Sequence, residues 1–266
     1  MSRGLPIAAN LSTLFREVPL LERFEAARRQ GFDGVEIQFP YSEPPEALAK
    51  AARAAMIPVV LINAPIVPSE HPFGIAGRPG LENLFRSQLA QAADYAEALG
   101  ASFVHVLAGL LPAEGDRERC LGVYQDNLSL AAEVLRPKEA GVLIEPLNPT
   151  DVPGYLLDSF DLARSILSRG VSGIGMQFDA YHATRMGLSL VSELEQSLPF
   201  IRHVQFADVP GRHEPGTGGV PFGGMLAALL DARYDGWLGA EYFPSGTTEG
   251  SLGWLAEWRA EMSATP

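Results

Sequence analysis

Four oxygen-bearing side chains interrupt short apolar runs in the second half of the chain. They are Glu145 in GVLIEPL, Asp179 in GIGMQFDA, Gln205 in IRHVQFAD and Glu241 in GWLGAEY. Three carboxylates placed together repel one another and raise each other's pKa unless a cation lies between them. Oxygen-only ligands favour a hard divalent ion, Mg²⁺ or Mn²⁺, and paired carboxylates can also transfer protons as acid and base.

These groups can meet only if the strands that carry them lie side by side. Short β-branched and aromatic runs recur along the sequence, separated by longer amphipathic stretches. The runs span 6–11, 34–39, 58–63, 102–108, 141–147, 173–180, 201–208 and 236–242. Strands that are apolar on both faces and separated by helices form parallel sheets, and eight such units match a closed (β/α)8 TIM barrel in the α/β class. A doubly wound open sheet is the alternative, but this sequence has no GxGxxG motif after its first predicted strand.

The stretches between the runs have helical spacing. Leu20, Phe24 and Ala27 precede a glycine stop at Gly31. A second helix is predicted to end at Gly100 and to carry one apolar face, formed by Leu84, Leu89, Ala92 and Ala96.

No linker, charge run or low-complexity segment divides the chain, so residues 1–266 are predicted to form a single domain. The Pro- and Gly-rich stretch 63–80 reads as one long loop after the third strand. A loop of this length over a barrel mouth can act as a lid or contact the substrate, although a passive insertion has the same composition.

Composition limits the partners. The net charge of −12 argues against nucleic acid, and it means that an anionic substrate needs a local cation. The chain has no apolar run long enough to span a membrane and no secretory signal at its start, which predicts a cytoplasmic protein without a membrane partner. The single cysteine, Cys120, excludes an intrachain disulfide. A homo-oligomer is left open.

Active sites of such barrels lie at the carboxyl ends of the strands, so the four oxygen-bearing residues are predicted to converge there. Taken singly, each has a plainer explanation, such as a helix cap, a salt bridge or a buried core amide. His182, Arg212 and Glu36 are further candidates for contacts with substrate, and Glu36 is equally well explained as structural. The glycines of RHEPGTGG allow backbone to approach a ligand, or form an ordinary turn. The remaining histidines of the strands and the long loop are predicted to make local hydrogen bonds: His71, His105 and His203.

The motifs together resemble the hydroxypyruvate isomerase family, within the sugar isomerase/epimerase group of TIM barrels. The resemblance rests on ANLSTLF, GFDGVEIQFPY, LIEPLNPTDVPGY, QFDAYHATRM, HVQFADVPGRHEPGTG and GWLGAEYFP. It implies that the four residues above are metal ligands, that Glu145 and Glu241 transfer protons, and that His182 and Arg212 contact substrate. Many relatives in the wider group have histidine where this chain has Gln205.

Two positions depart from the family pattern. Close relatives of the bacterial isomerase end the third strand in a His-Asn pair before proline, whereas this chain has Ile62, Asn63, Ala64 and Pro65. After the fourth strand such relatives carry a lysine following glycine, whereas Leu110 follows Gly109 here. Both changes remove a polar or cationic group from the expected substrate side.

The resulting hypothesis is a metal-dependent isomerase that interconverts hydroxypyruvate and tartronate semialdehyde, or a close short-chain 2-oxo acid such as 2-oxotetronate, through an enediolate. A ketose 3-epimerase or an aldose-ketose isomerase acting on a longer sugar would use the same groups. An endonuclease IV-like barrel is disfavoured by the five histidines and the negative charge. A noncatalytic metal-binding barrel is the alternative from another class.

Overall fold

The computed structural model describes residues 4–113 and 116–264. Its parallel strands close into a barrel in chain order, β1 to β8, which confirms the predicted (β/α)8 fold. The strands are β1 Ile7–Asn10, β2 Gly34–Ile37, β3 Val59–Asn63, β4 Phe103–His105, β5 Gly141–Ile144, β6 Ile174–Asp179, β7 Ile201–Phe206 and β8 Trp237–Ala240. Each lies inside its predicted run and is shorter than it, because the last residues of several runs turn away from the sheet.

Helices cover the outside of the barrel. They are α1 Leu20–Arg29, α2 Pro45–Ala55, α3 Glu82–Leu99, α4 Arg117–Leu135, α5 Phe160–Leu167, α6 Ala180–Arg185, α7 Leu190–Ser197, α8 Phe222–Asp231 and α9 Gly253–Ala264. In the described part of the chain, no helix is both long and apolar enough to cross a membrane.

The helix ends follow the sequence signals, with one correction in the buried face of α3. Gly100 ends α3 in the left-handed conformation, with φ +61°. Leu84, predicted on the apolar face, is 40% exposed, and Phe85 is buried instead. At 100° per residue, Phe85 lies one helical turn before Leu89 and on the same face, whereas Leu84 points well away from it.

The barrel interior has an apolar floor below a polar layer. The floor contains Ala8, Val60 and Leu143, with the indole ring of Trp237 packed against them. Gly34 makes room for that ring, since a Cβ at this position would lie 2.6 Å from it. Polar groups of the barrel can therefore gather only above this layer, at the carboxyl ends of the strands.

The long loop after β3 is anchored to its neighbours. Ile75 and Ala76 are buried, and the amide side chain of Asn127 on α4 donates to the Ala76 carbonyl at 2.8 Å. The backbone N–H of Gly77 donates to the Ala108 carbonyl at 2.7 Å. This part of the loop is packed against the segment that follows β4.

Replacing Gly34 with Ala tests the packing of the floor. The new methyl group would overlap the Trp237 ring, so we expect the free energy of unfolding to fall by about 1–3 kcal/mol, measured by urea denaturation. Gly122 is the matched control, because it is exposed in the middle of α4 with nothing within 4 Å of an added Cβ. Gly122→Ala should instead raise stability by about 0.5–1 kcal/mol. Equal effects at the two positions would contradict the packing described here.

Candidate active site

The four predicted residues lie together at the carboxyl end of the barrel. Glu145 directly follows β5, Asp179 ends β6, Gln205 lies near the end of β7 and Glu241 directly follows β8. Strand register brings them level, since Asp179 pairs with Gln205 and Gln205 pairs with Gly239. All four side chains are buried.

Glu145, Asp179 and His182 form the most compact group of possible metal ligands in the described residues. One ligand atom from each lies within 4.8 Å of the others. Oε1 of Glu145 is buried and has no hydrogen-bond partner there. A buried carboxylate oxygen without a partner is costly, and a bound cation would remove that cost.

Electrostatics in this group disfavour the ionised carboxylates. Burial, together with the negative charges of Asp179 and Glu241, raises the pKa of Glu145 well above its usual range. Burial raises the pKa of Glu241 to about 8, despite the opposing charge of Arg212. The pKa of Asp179 is also raised by burial, and Arg212 again acts in the opposite direction. A second positive charge near the three carboxylates would lower all three values.

Arg212 reaches over the carboxylates from the loop after β7. Its Nη2 donates to Glu241 Oε1 at 2.5 Å and to Asp179 Oδ2 at 3.2 Å. The guanidinium lies 4.8 Å from the centre of the Tyr181 ring, a cation–π distance. Burial acts to lower the pKa of Arg212, but the charges of Glu241, Asp179 and Glu145 outweigh it and raise that pKa. Its Nε is buried without a hydrogen-bond partner in the described residues.

The loop that carries Arg212 is organised around the carboxylate of Asp208. The backbone N–H groups of Gly216 and Gly218 donate to Oδ2 at 2.9 and 2.8 Å, and that of Val220 donates to Oδ1 at 3.0 Å. A Cβ at Gly218 would lie 1.7 Å from the Val209 carbonyl oxygen. These glycines thus close the loop on Asp208, and the ordinary-turn interpretation fits them better than a ligand cradle.

His182 faces the carboxylates as a hydrogen-bond donor. The backbone N–H of Asn148 donates to its Nδ1 at 3.0 Å, so Nδ1 is the acceptor and Nε2 carries the proton. Nε2 lies 3.7 Å from Asp179 Oδ2 and 4.0 Å from Glu145 Oε1. Burial and the charge of Arg212 keep the ring neutral by lowering its pKa well below the usual value. This tautomer suits a bond to a substrate oxygen and leaves no lone pair on Nε2 for a metal.

Gln205 is oriented differently from a metal ligand. Its Nε2 donates to Glu36 Oε1 and to Glu241 Oε2, both at 2.7 Å, and its Oε1 accepts from Gln177 Nε2 at 2.6 Å. The predicted coordination through the side-chain oxygen therefore requires this amide to rotate by half a turn. If Gln177 rotates as well, the bond between the two amides is kept with donor and acceptor exchanged.

Glu36 lies within the barrel, beneath the mouth. It is fully buried, and Asn10 Nδ2 and Gln205 Nε2 donate to Oε1 at 2.9 and 2.7 Å. Oε2 is 2.7 Å from His203 Nε2, and a Cβ at Gly239 would lie 2.5 Å from this oxygen. Burial and three protein donors favour a role in holding Gln205 over the direct substrate contact predicted for Glu36.

Comparisons with known proteins show the family to which the chain belongs. The family model described as the xylose isomerase-like TIM barrel matches residues 24–260. Hydroxypyruvate isomerase of Escherichia coli K12 is 37% identical over 259 residues, which cover 96% of this chain and 100% of that protein. The chain belongs to the hydroxypyruvate isomerase family of xylose isomerase-like barrels. It is accordingly an isomerase.

Two further relatives show the range of names in the hydroxypyruvate isomerase family. A 2-oxo-tetronate isomerase of Cupriavidus necator is 38% identical over 252 residues, covering 93% of this chain and 96% of that protein. A crystal structure from Brucella melitensis, described as an AP endonuclease of family 2, has a TM-score of 0.91 and 36% identity. It covers 96% of this chain and 99% of its own.

Sequence reasoning missed several polar residues at this mouth. Asn10 Nδ2 donates to Glu241 Oε2 at 3.0 Å, and Gln38 Nε2 donates to Glu241 Oε1 at 3.0 Å. His105, expected to make local hydrogen bonds, has both ring nitrogens unpartnered in the described residues, with Nδ1 3.6 Å from Glu145 Oε2. Burial lowers the pKa of His105 to about 3, so this ring is neutral. Applying the strand-end rule to β1, β2 and β4 would have found these residues.

The donor set fits a divalent cation. Carboxylate oxygens of Glu145 and Asp179 lie close enough to share a cation, and Oε1 of Glu145 has no partner in the described residues. Glu241, predicted as a further ligand, lies outside this group and is hydrogen-bonded at both oxygens. Gln205 can add a neutral oxygen once its amide rotates. Hard ions prefer oxygen ligands, and the choice of Mg²⁺ or Mn²⁺ stays a prediction.

The raised carboxyl pKa values predict how metal binding depends on pH. Between the ordinary glutamate pKa and about 8, Glu241 keeps in the folded state a proton that the unfolded chain has lost, so its contribution to stability falls as pH rises. Metal binding requires these groups to be deprotonated. We therefore expect Mg²⁺ or Mn²⁺ to raise the Tm more at about pH 8.5 than at about pH 6.

Asp179→Asn should abolish this metal-induced Tm shift. Asparagine also caps helices well, so the cap of α6 is expected to survive. Asp126→Asn, at an exposed position on α4, is the matched control and should keep the full shift. A shift of the same size at both pH values would contradict the assignment of raised carboxyl pKa values to the metal site.

Proposed function

We propose that the protein interconverts hydroxypyruvate and tartronate semialdehyde, or a close short-chain 2-oxo acid pair such as that of 2-oxotetronate. The observation that carries the proposal is the pair of buried glutamates, Glu145 and Glu241, which share one mouth and have raised pKa values. The names of the relatives, hydroxypyruvate isomerase and 2-oxo-tetronate isomerase, support a small 2-oxo acid as substrate.

The reaction requires proton transfer between two neighbouring carbons. One carboxylate removes a proton from the carbon next to the carbonyl group, which gives an enediolate. A carboxylic acid then returns a proton to the former carbonyl carbon, while the hydroxyl proton passes to the former carbonyl oxygen, so that the carbonyl group reforms on the neighbouring carbon. Glu145 and Glu241 come from strands three apart in the barrel, so they approach a flat enediolate from different sides. Burial raises the pKa of both groups, that of Glu241 to about 8, so Glu241 can release and accept a proton near neutral pH.

The two glutamates are held to different degrees. Glu241 accepts hydrogen bonds from Arg212 and Gln38 at one oxygen and from Asn10 and Gln205 at the other. These four donors fix the direction of its carboxylate. Glu145 has one oxygen with no partner in the described residues, so this side of the mouth is the less constrained one.

The remaining groups stabilise negative charge on substrate oxygens. A divalent ion held by Glu145, Asp179, Glu241 and a rotated Gln205 would act as a Lewis acid towards the developing oxyanion. His182 would donate from Nε2 to a substrate oxygen. Arg212 would offer its unpartnered Nε while it keeps Asp179 and Glu241 in place.

A ketose 3-epimerase or an aldose-ketose isomerase on a longer sugar is the second candidate. Removal of a proton beside a carbonyl is common to these reactions, and the same glutamates would carry it out.

Endonuclease IV-like chemistry uses several zinc ions. In residues 4–113 and 116–264, one group of three ligands is close enough to share an ion, and it contains a single histidine.

Turnover assays with Mg²⁺ or Mn²⁺ separate these candidates. We expect isomerisation of hydroxypyruvate, tartronate semialdehyde or 2-oxotetronate, and little turnover of a ketohexose. Glu241→Gln should lower kcat by about 10²–10⁴-fold, because the variant cannot exchange the proton. Its folding is checked by thermal unfolding.

Glu133→Gln, an exposed change on α4, should leave kcat unaltered. Near-normal isomerisation by Glu241→Gln would overturn the proposed mechanism. Turnover of the ketohexose alone would favour the epimerase.

A further inference from the structure

We propose that Arg78, in the long loop after β3, binds the carboxylate of the substrate and makes this site prefer an acid over an uncharged sugar. The proposal rests on the proposed function and names the group that would recognise the substrate's charge.

The side chain of Arg78 lies across the chain that follows β4. Its Nη1 donates to the Leu110 carbonyl at 3.2 Å, and its Cγ lies 3.5 Å from where a Cβ on Gly109 would be. The loop is held there by the bond from Gly77 N–H to the Ala108 carbonyl and by the buried Ile75 and Ala76. The guanidinium is therefore placed by packed backbone next to Leu110.

This position borders the Glu145 side of the barrel mouth. Leu110 forms an isolated antiparallel bridge with Tyr155, and the Tyr155 hydroxyl accepts from Ala108 N–H at 2.9 Å. Tyr155 is fully buried, and on either side of it the two segments exchange backbone bonds, from Leu156 N–H to the Gly109 carbonyl at 2.9 Å and from Leu111 N–H to the Gly154 carbonyl at 2.8 Å. The segment that holds the Arg78 guanidinium is thus bonded to the connection between β5 and α5, in which Glu145 is the first residue after the strand.

Arg78 also differs from other arginines around the mouth in its partners. Arg212 is paired with Glu241 and Asp179, Arg185 with Asp151, and Arg117 with Asp158. Arg78 donates to one backbone carbonyl and has no carboxylate partner among the described residues. It is half-buried, and a guanidinium offers five N–H donors in a fork that matches a carboxylate.

The charge of the mouth gives this cation a purpose. Leu110, beside the Arg78 guanidinium, is apolar and partly buried against the core, so this position itself provides no cation. Arg212, the cation already described at the mouth, is paired with Asp179 and Glu241, and the chain carries a net charge of −12, so an anionic substrate gains from a second cation. Arg78 brings a positive charge to the same place from the neighbouring loop.

The first experiment compares Arg78→Gln with Arg78→Lys. For the 2-oxo acid that the enzyme turns over, Arg78→Gln should raise KM by about 10–100-fold with kcat little changed, because a charged hydrogen bond is lost in both ground and transition states. The KM of Arg78→Lys should lie between those of the unmodified enzyme and Arg78→Gln, since lysine keeps the positive charge and lacks the forked guanidinium. Isomerisation of an uncharged triose, dihydroxyacetone, should be unaffected by either change.

The second experiment moves the cation back. Leu110→Lys in the Arg78→Gln background should bring the raised KM most of the way back to that of the unmodified enzyme. Leu110→Met in the same background should leave the KM raised. Arg86→Gln, at an exposed position on α3, is the matched control and should keep the KM of the unmodified enzyme. The proposal would be overturned if Arg78→Gln left the KM unchanged, or if it impaired isomerisation of the acid and of the triose to the same degree.

A binding measurement keeps this test separate from the proposed function. Tartronate, an unreactive dicarboxylate, is titrated calorimetrically into the Mg²⁺-loaded protein. If Arg78→Gln weakens tartronate binding at least tenfold, Arg78 is supported as the carboxylate contact. This holds even if the enzyme turns over no 2-oxo acid, a result that would refute the proposed substrate but not the contact. Equal tartronate binding by both proteins, with thermal unfolding confirming that each is folded, overturns the role of Arg78.

Discussion

The crowding of buried carboxylates at one end of the barrel is the constraint on which the rest of the site depends. Glu36, Glu145, Asp179 and Glu241 are each less than a tenth exposed, and Arg212 is the cation that contacts two of them. Ionised carboxylates in a poorly solvated interior cost free energy unless they are paired and hydrogen-bonded. Hydrogen-bond donors stabilise some of these carboxylates, and raised pKa values keep others protonated. One oxygen of Glu145 has no protein partner in the described residues.

Two polar networks surround the carboxylates and set the direction of each functional group. On the side of β7, β1 and β2, His203 and Asn10 hold Glu36, and Glu36 in turn orients the amide of Gln205. On the β5 and β6 side, Asn148 fixes the tautomer of His182. A small change in either network alters a proton position or an amide direction, because buried donors and acceptors have few alternatives.

Much of this site could be predicted from sequence, for a physical reason. Parallel barrel strands have a strong apolar signal, and the rule that active sites lie at their carboxyl ends converts Glu145, Asp179 and Glu241 into neighbours. The features that could not be predicted are positions and orientations of individual atoms, which residue type does not determine. The amide direction of Gln205, the Nε2 proton of His182 and the use of loop glycines around Asp208 follow from three-dimensional partners that have no fixed sequence spacing. The position of Arg78 is of the same kind, since only the packing of two loops brings it beside Leu110.

The arrangement separates the reaction from the choice of substrate. The groups proposed for proton transfer and charge stabilisation come from β5 to β8 and the loops that follow them. The proposed carboxylate contact comes instead from the loop after β3, where Arg78 donates to the Leu110 carbonyl. If Arg78 is the carboxylate contact, a change in this loop can alter the choice of substrate without disturbing the glutamates, because loops vary more freely than the strands that support them. Two relatives in the family carry the names of isomerases for different acids, hydroxypyruvate and 2-oxo-tetronate.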